Sequence, residues 1–147
     1  MLFSLLAFLN RFFPAKAVFA HCDIPCGIYT VEPARTAAKT VVKMVEKILA
    51  LPADGNPQEI LQARNSFVRM VQVKEEHAQI CKKELLILWT DYFKPEHLEM
   101  FPNLHETFWK AAKLCSKVKQ EVNMEAARAL QDAVEEIGQI FAQAAKH

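Results

Sequence analysis

The densest run of metal-ligating and redox-capable side chains in this sequence is His21-Cys22-Asp23-Ile24-Pro25-Cys26-Gly27-Ile28-Tyr29. Two thiols at this spacing have two ordinary uses. They can close a small disulfide loop, or they can share one face of a helical turn. Pro25 and Gly27 argue against the helix, since proline removes a backbone donor and glycine is costly inside a helix. The disulfide stays open as a reading. A third use is a metal site. Cleavage after Ala20 would make His21 the first residue, with an α-amine and an imidazole to offer. Cys22 would add a thiolate and, next to that amine, a backbone amide that a suitable metal can deprotonate. Cys26 would return a second thiolate after a tight turn. Nitrogen and sulfur in one plane suit nickel(II) or copper(II), not calcium or magnesium. A structural zinc site takes four side chains, and here His21, Cys22 and Cys26 are the available donors. Asp23 is short and sits in a turn, which suits backbone hydrogen bonds inside such a hook.

Residues 1–20 read as a leader. Leu2 to Leu9 is an apolar run of signal-peptide length, and Val18 and Ala20 suit a small-residue cleavage site. The basic residues Arg11 and Lys16 follow the apolar run instead of preceding it, and the run is too short to span a bilayer. It is either a secretory signal or a processing segment that exposes a particular N-terminus. The expectation is a cleaved leader over 1–20 and one domain over 21–147, made of a hook (21–29) and a helical bundle (about 33–147). The expected location is cytoplasmic, or exported if the leader is a secretory signal.

The elements that must position the hook are helical. The chain has 147 residues, with only three Gly, many Ala, Leu, Glu and Lys, and no alternating Val/Ile/Thr runs. Pro33 opens a first helix with Ala37, Val41, Val45 and Ile48 on one face. The turn formers from Leu51 to Pro57 end it. A second helix is predicted from Pro57 to Asp91, with Val71, Ala78 and Leu85 on a seven-residue repeat and Phe67, Cys81 and Leu88 alongside. Lys94-Pro95 breaks it. The third helix carries Leu104, Phe108, Ala112, Cys115 and Val118. The fourth carries Ala126, Leu130, Val134, Ile137, Phe141 and Ala144. Four amphipathic helices with short links predict an all-α, antiparallel four-helix bundle. Cys81 and Cys115 fall on apolar faces and read as core. His77, His97, His105 and His147 have no metal-ligand spacing to one another and read as structural or exposed. A net charge of +1 with no Lys/Arg run or aromatic stripe excludes a nucleic-acid footprint, and stable membrane insertion is not expected.

The stretch HCDIPCGIY resembles the N-terminal nickel hook of nickel-containing superoxide dismutases, in which the mature chain begins at the His. Trp89-Thr90-Asp91-Tyr92-Phe93-Lys94-Pro95 is similar to a second block of that family, and Pro102, Leu104 and His105 fit the stretch that follows. The resemblance implies a superoxide dismutase of antioxidant defence, with one nickel per subunit cycling between Ni(II) and Ni(III) and a four-helix bundle assembled as a homohexamer. It implies a maturation peptidase as a partner and allows for a nickel chaperone. It implies that His21, Cys22 and Cys26 bind the metal, with the His21 imidazole axial in the oxidised state and the Ile24–Pro25 bond cis. Two thiolates and a deprotonated amide bring the nickel potential into the range where superoxide can cycle it. Tyr29 is placed at the open face with Tyr92 nearby, where they can hold water or anion and supply protons; Tyr92 can instead be a bundle-capping aromatic. Lys94 can attract the anionic substrate, or be a solvated helix-end charge. The sequence departs from the family at Thr30-Val31, where an Asp-Pro pair is usual. It departs again at Ala37 and His77, which stand where a Glu and an Arg support the axial imidazole. Two rival readings keep the bundle: a secreted interaction module with a disulfide-closed loop, and a metal carrier without turnover.

Overall fold

The computed structural model describes residues 27–146. Four long helices account for most of them: α1 (Glu32–Leu49), α2 (Pro57–Ile87), α4 (Leu104–Gln120) and α5 (Met124–Ala144). Between α2 and α4 lie a π-helical turn (Leu88–Tyr92) and the short α3 (His97–Met100). No strand occurs among the described residues. α1 packs on α2 and α5, and α4 packs on the same two helices. Each long helix therefore touches the next long one in the chain, and the last closes on the first. This is the predicted antiparallel four-helix bundle.

Local chemistry starts these helices where the sequence indicates. Thr30 Oγ1 accepts from the Glu32 backbone N–H at 3.2 Å, and Pro33 stands in the first turn of α1. Asn56 builds a reciprocal cap for α2. Its Oδ1 accepts from the backbone of Gln58 and Glu59, both at 3.0 Å, while Glu59 Oε2 accepts from the Asn56 N–H at 3.0 Å. The predicted stripes of α1 and α4 are buried in full, as are Ala126, Leu130, Val134, Ile137 and Ala144 of α5; Phe141 is half-buried. Cys81 and Cys115 are free, buried core residues, as expected. The hydrogen bond to Cys115, with burial, holds the Cys81 thiol far above its usual range. Both behave as small apolar groups.

Two expectations about α2 need correction. It stays α-helical to Ile87 rather than Asp91, then widens into the π turn, where the Phe93 N–H reaches back to Leu88 O at 3.2 Å. Pro95 disfavours helical geometry at Lys94, and the wider turn is how the helix ends. Phe67, read as a core neighbour, is 43% exposed. The buried residues of α2 are Lys74, Ala78, Cys81 and Leu85. Residues 57–73 contribute none, because α4 stops level with Lys74.

Lys74 marks that level. It is only 1% exposed, and its ammonium donates to the carbonyls of Val118, Lys119 (2.9 Å) and Glu121 (3.1 Å) at the end of α4. Burial draws its pKa below the usual lysine range, while the three carbonyl acceptors favour the charged form. They are the acceptors a helix C-terminus leaves unpaired, so one side chain ties the ends of two helices together. Fully burying a Leu- or Phe-class side chain yields about 1.5–3 kcal/mol. Leu85, Leu88, Leu104, Phe108, Leu130 and Ile137, all buried, therefore outweigh the burial of one charge. Lys74→Met should still strand the buried Val118 carbonyl at a cost of about 1–3 kcal/mol. Thermal and urea melts of the variant should show that loss with helical content retained; an unchanged melting temperature would mean the three bonds add no net stability.

Candidate metal centre

The predicted ligands His21, Cys22 and Cys26, and with them Asp23 and the Ile24–Pro25 bond, lie outside the described residues. The description begins at Gly27, whose φ of +99° is a conformation that favours glycine, with nothing within 4 Å of where a Cβ would stand. Ile28 faces solvent, Tyr29 is half-buried against the core, and Val31 is buried. Cys26 precedes Tyr29 by three residues, so their Cα atoms are at most about 11 Å apart.

The start of α1 fixes where this segment leaves the bundle. Arg35 pairs with Glu32 of its own helix at 2.6 Å and with Glu135 of α5 at 3.0 Å. Gly138, one turn on, permits that bridge, since a Cβ there would collide with the guanidinium. An exposed ion pair adds little, but Arg35 is partly covered and spans two helices. It ties the start of α1, directly after residues 27–31, to α5.

Tyr29 lands on Tyr92. Their rings meet edge to face with centroids 5.6 Å apart and an interplanar angle of 64°. Tyr92 comes from the last position of the π turn and is itself held on three more sides. Phe141 of α5 lies at 4.6 Å, Phe93 at 5.1 Å and His97 at 5.9 Å, the last stacked within 7°. His97 is fixed in turn by the Lys94 backbone N–H, which donates to its Nδ1 at 2.9 Å. Burial pushes the Tyr92 phenol above its usual range, so it remains a proton donor through neutral and mildly basic pH. The structure thus brings Tyr29 and Tyr92 together, 63 positions apart in the chain.

Lys94 is not drawn into that cluster. Its ammonium is exposed and 3.9 Å from Glu96, a solvated helix-end charge. Ala37 is buried in the α1 stripe. His77 is half-buried, and its Nδ1 is 2.9 Å from Val73 O in its own helix; since a carbonyl only accepts, Nδ1 donates. Among the described residues no group of three or more His, Cys, Asp or Glu could hold a metal ion, and no helix is long and apolar enough to cross a membrane.

Sequence reasoning left His97 and His105 as structural or exposed, and both have defined ring partners. A second aromatic group adjoins the first through Phe93, which meets Phe108 of α4 at 5.5 Å. Phe108 stacks on Trp89 at 5.9 Å and 6°. The Trp89 indole N–H donates to His105 Nδ1 at 2.8 Å. These contacts join residues from opposite sides of the Lys94-Pro95 break. The grouping of aromatics within Trp89 to Phe93 was the signal available in the sequence; their partners on α4 and α5 were not.

Residues 16–145 match the family of nickel-containing superoxide dismutases. The superoxide dismutase [Ni] of Streptomyces seoulensis is 36% identical over 134 residues, spanning 90% of this chain and 95% of that protein. The superoxide dismutase [Ni] of Streptomyces coelicolor is 34% identical over the same shares. A crystal structure of Ni-containing superoxide dismutase, with Ni ligation corresponding to the oxidised state, superposes with a TM-score of 0.73 at 34% identity. It covers 86% of this chain and 100% of that one. On the fold, the junction after Cys26 and these matches together, the chain belongs to the nickel-containing superoxide dismutase family.

Proposed function

We propose that this nickel-dependent enzyme, which converts superoxide to oxygen and hydrogen peroxide, holds its metal through His21, Cys22 and Cys26 after residues 1–20 are removed. The observation that carries this reading is the contact of Tyr29 with Tyr92. The two sequence blocks similar to the family, HCDIPCGIY and WTDYFKP, meet in space at their tyrosines, at the point where the hook joins the bundle. A carrier or a disulfide-closed interaction module has no need of that meeting.

The donor set fits the metal. One terminal amine, one amide nitrogen and two thiolates would supply the nitrogen and sulfur donors that suit nickel(II), and the His21 imidazole would be a further donor. When bound, nickel supplies a centre that accepts one electron from superoxide and returns one to the next. The protein's own residues handle the rest. The Tyr29 and Tyr92 hydroxyls order the incoming anion or a water, and Tyr92, protonated because it is buried, donates toward the peroxide being formed. Asp23 accepts backbone hydrogen bonds within the hook. Lys94, exposed at the end of the π turn, adds to the field an anion meets.

Assembly is part of the same reading. Leu61 and Val68 of α2 are 61% and 64% exposed, and Phe67 lies beside them, all on the part of α2 that α4 leaves uncovered. Further copies of the chain cover this face in a homohexamer, since a monomer does not usually expose such a patch. A peptidase cuts after Ala20, a nickel chaperone is a further partner, and the enzyme works in the cytoplasm. Recovery of trimmed protein from an exported fraction would instead make the leader a secretory signal.

Two measurements test the ligand set. The uncut chain should bind nickel poorly and lack activity, because an ordinary amide replaces the His21 amine; an intact precursor with full turnover would sink the processing step. On trimmed protein, Cys22→Ser and Cys26→Ser should each abolish dismutation and nickel retention while helical content and melting temperature stay near wild type. The bundle core begins after these residues, and a serine hydroxyl is not ionised near neutral pH. Cys81→Ser should do the reverse. It places a hydroxyl in a fully buried site and should cost about 1–3 kcal/mol of stability with nickel content preserved. Near-normal turnover of Cys26→Ser would rule out the two-thiolate site.

A further inference from the structure

Tyr92, the proposed proton donor, has four ring neighbours among the described residues. Tyr29, Phe93 and Phe141 meet it edge-on or tilted, at interplanar angles of 64°, 89° and 48°. His97 is the one that stacks on a face of the ring, 7° from parallel with centroids 5.9 Å apart. Packing alone would be served as well by a leucine or a phenylalanine.

The chain needs an acceptor at that place. The π turn ends at Tyr92, and Phe93 is extended, with φ −74° and ψ 137°. The Lys94 N–H therefore has no helical carbonyl to reach, and Pro95 disfavours a new turn at Lys94. Nδ1 of the half-buried His97 accepts that N–H at 2.9 Å, and the His97 N–H returns a bond to Lys94 O at 3.0 Å. The two residues close a reciprocal clamp across Pro95 and Glu96. An imidazole nitrogen that accepts carries no proton, so the proton of the neutral ring is on Nε2. The clamp fixes the backbone and the ring of His97 together, and that ring is the one laid on Tyr92.

We propose that His97 is a positioning residue for Tyr92: clamped by Lys94, its ring covers one face of the Tyr92 ring, restricts its turning and keeps water from it. The proposal rests on the reading of Tyr92 as proton donor to the peroxide being formed.

The other three rings keep Tyr92 seated, so the cover acts on its freedom and its acidity. A phenol ionises more easily where water reaches it, and burial is what holds Tyr92 above its usual range. Charged groups play little part. Asp91, Lys94 and Glu96 of the adjoining chain are exposed; the Lys94 ammonium lies 3.9 Å from Glu96, and Asp91 accepts from Thr90 at 2.7 Å. Tyr29 is the titratable group on the ring from the segment before α1, and α5 meets it with Phe141. Uncovering the face lowers the Tyr92 pKa towards its ordinary value, and a proton donor is competent only below its pKa. Loss of the cover therefore brings the alkaline decline of activity to lower pH.

His97→Asn separates the cover from the clamp. Its Oδ1 is borne on Cγ, as Nδ1 is, and can accept the Lys94 N–H, but it has no ring to lay on Tyr92. In the full chain the two tyrosines are replaced by meta-fluorotyrosine, and Tyr29→Phe assigns their fluorine NMR signals. His97→Asn should melt as wild type does, speed the turning of the Tyr92 ring several-fold and move its titration towards that of free tyrosine. A Tyr92 signal and titration midpoint unchanged in His97→Asn would overturn the proposal.

The second arm is the pH profile of dismutation by trimmed, nickel-loaded protein. His97→Asn should retain its nickel and lose activity at lower alkaline pH than wild type, by several-fold at the wild-type alkaline midpoint. In a Tyr92→Phe background the same substitution should leave the profile in place, because the hydroxyl it acts through is gone. An equal displacement in that background would mean that His97 acts elsewhere, and would overturn the proposal. Tyr92→Phe protein with the wild-type alkaline decline would sink the donor reading of Tyr92, and the fluorine titration would then decide the cover by itself.

Discussion

Tyr92 is the point on which the working end of this protein turns. It stands at the last position of a π turn, touched by Tyr29 before α1, Phe141 of α5, and Phe93 and His97 beyond α2. Aromatic pairs of this kind are worth about 0.5–1.5 kcal/mol each beyond the area they bury. Four of them on one ring give a site that does not shift when one neighbour moves. The described end of the hook, residues 27–29, meets the bundle through this contact. Moving Tyr92 by one position along an ordinary helix would swing its ring by about 100° and leave Tyr29 without its platform.

The π turn places the ring correctly. An uninterrupted α-helix to Asp91 would keep Trp89 and Tyr92 on nearly one face, since residues three apart are neighbours on a helix. The wider turn lets Trp89 reach Phe108 and His105 of α4 while Tyr92 reaches α5 and the hook. Such turns carry weaker hydrogen bonding and recur at functional sites. Here the local cost is set against the buried Leu88 and Phe93 on either side.

How much of this could be read in advance follows from the range of the forces involved. The stripes of α1, α4 and α5 were legible because amphipathic spacing is a local property, and every position in them but the half-buried Phe141 is buried. Phe67 misled because the apolar repeat of α2 runs on past the level where α4 ends, and no local pattern records where a partner helix stops. Lys74 looked like any surface lysine; its burial depends on the carbonyls of residues 118, 119 and 121, more than forty positions away. The π turn was hidden because the same residues fit an α-helix. The ligand stretch was legible as chemistry from residue types, and the family resemblance placed Tyr92 near Tyr29; the packing of Phe141 and His97 around Tyr92 needed the fold.

The division of labour between hook and bundle explains the architecture. On the ligand set proposed above, the first donor is a chain terminus, and such a site cannot be built from the interior of a helix, because an interior residue has no free amine. The bundle must therefore fold on elements of its own, with side-chain caps at Asn56 and Asn123, Pro33 in the first turn of α1, and a core that omits the proposed ligands. What it gives the segment at 27–31 is a start of α1 tied to α5 through Arg35 and Glu135, and an aromatic floor under Tyr29. On the proposed ligand set, metal chemistry that needs a newly made N-terminus would in this way be uncoupled from folding, because the bundle core contains none of the proposed ligands.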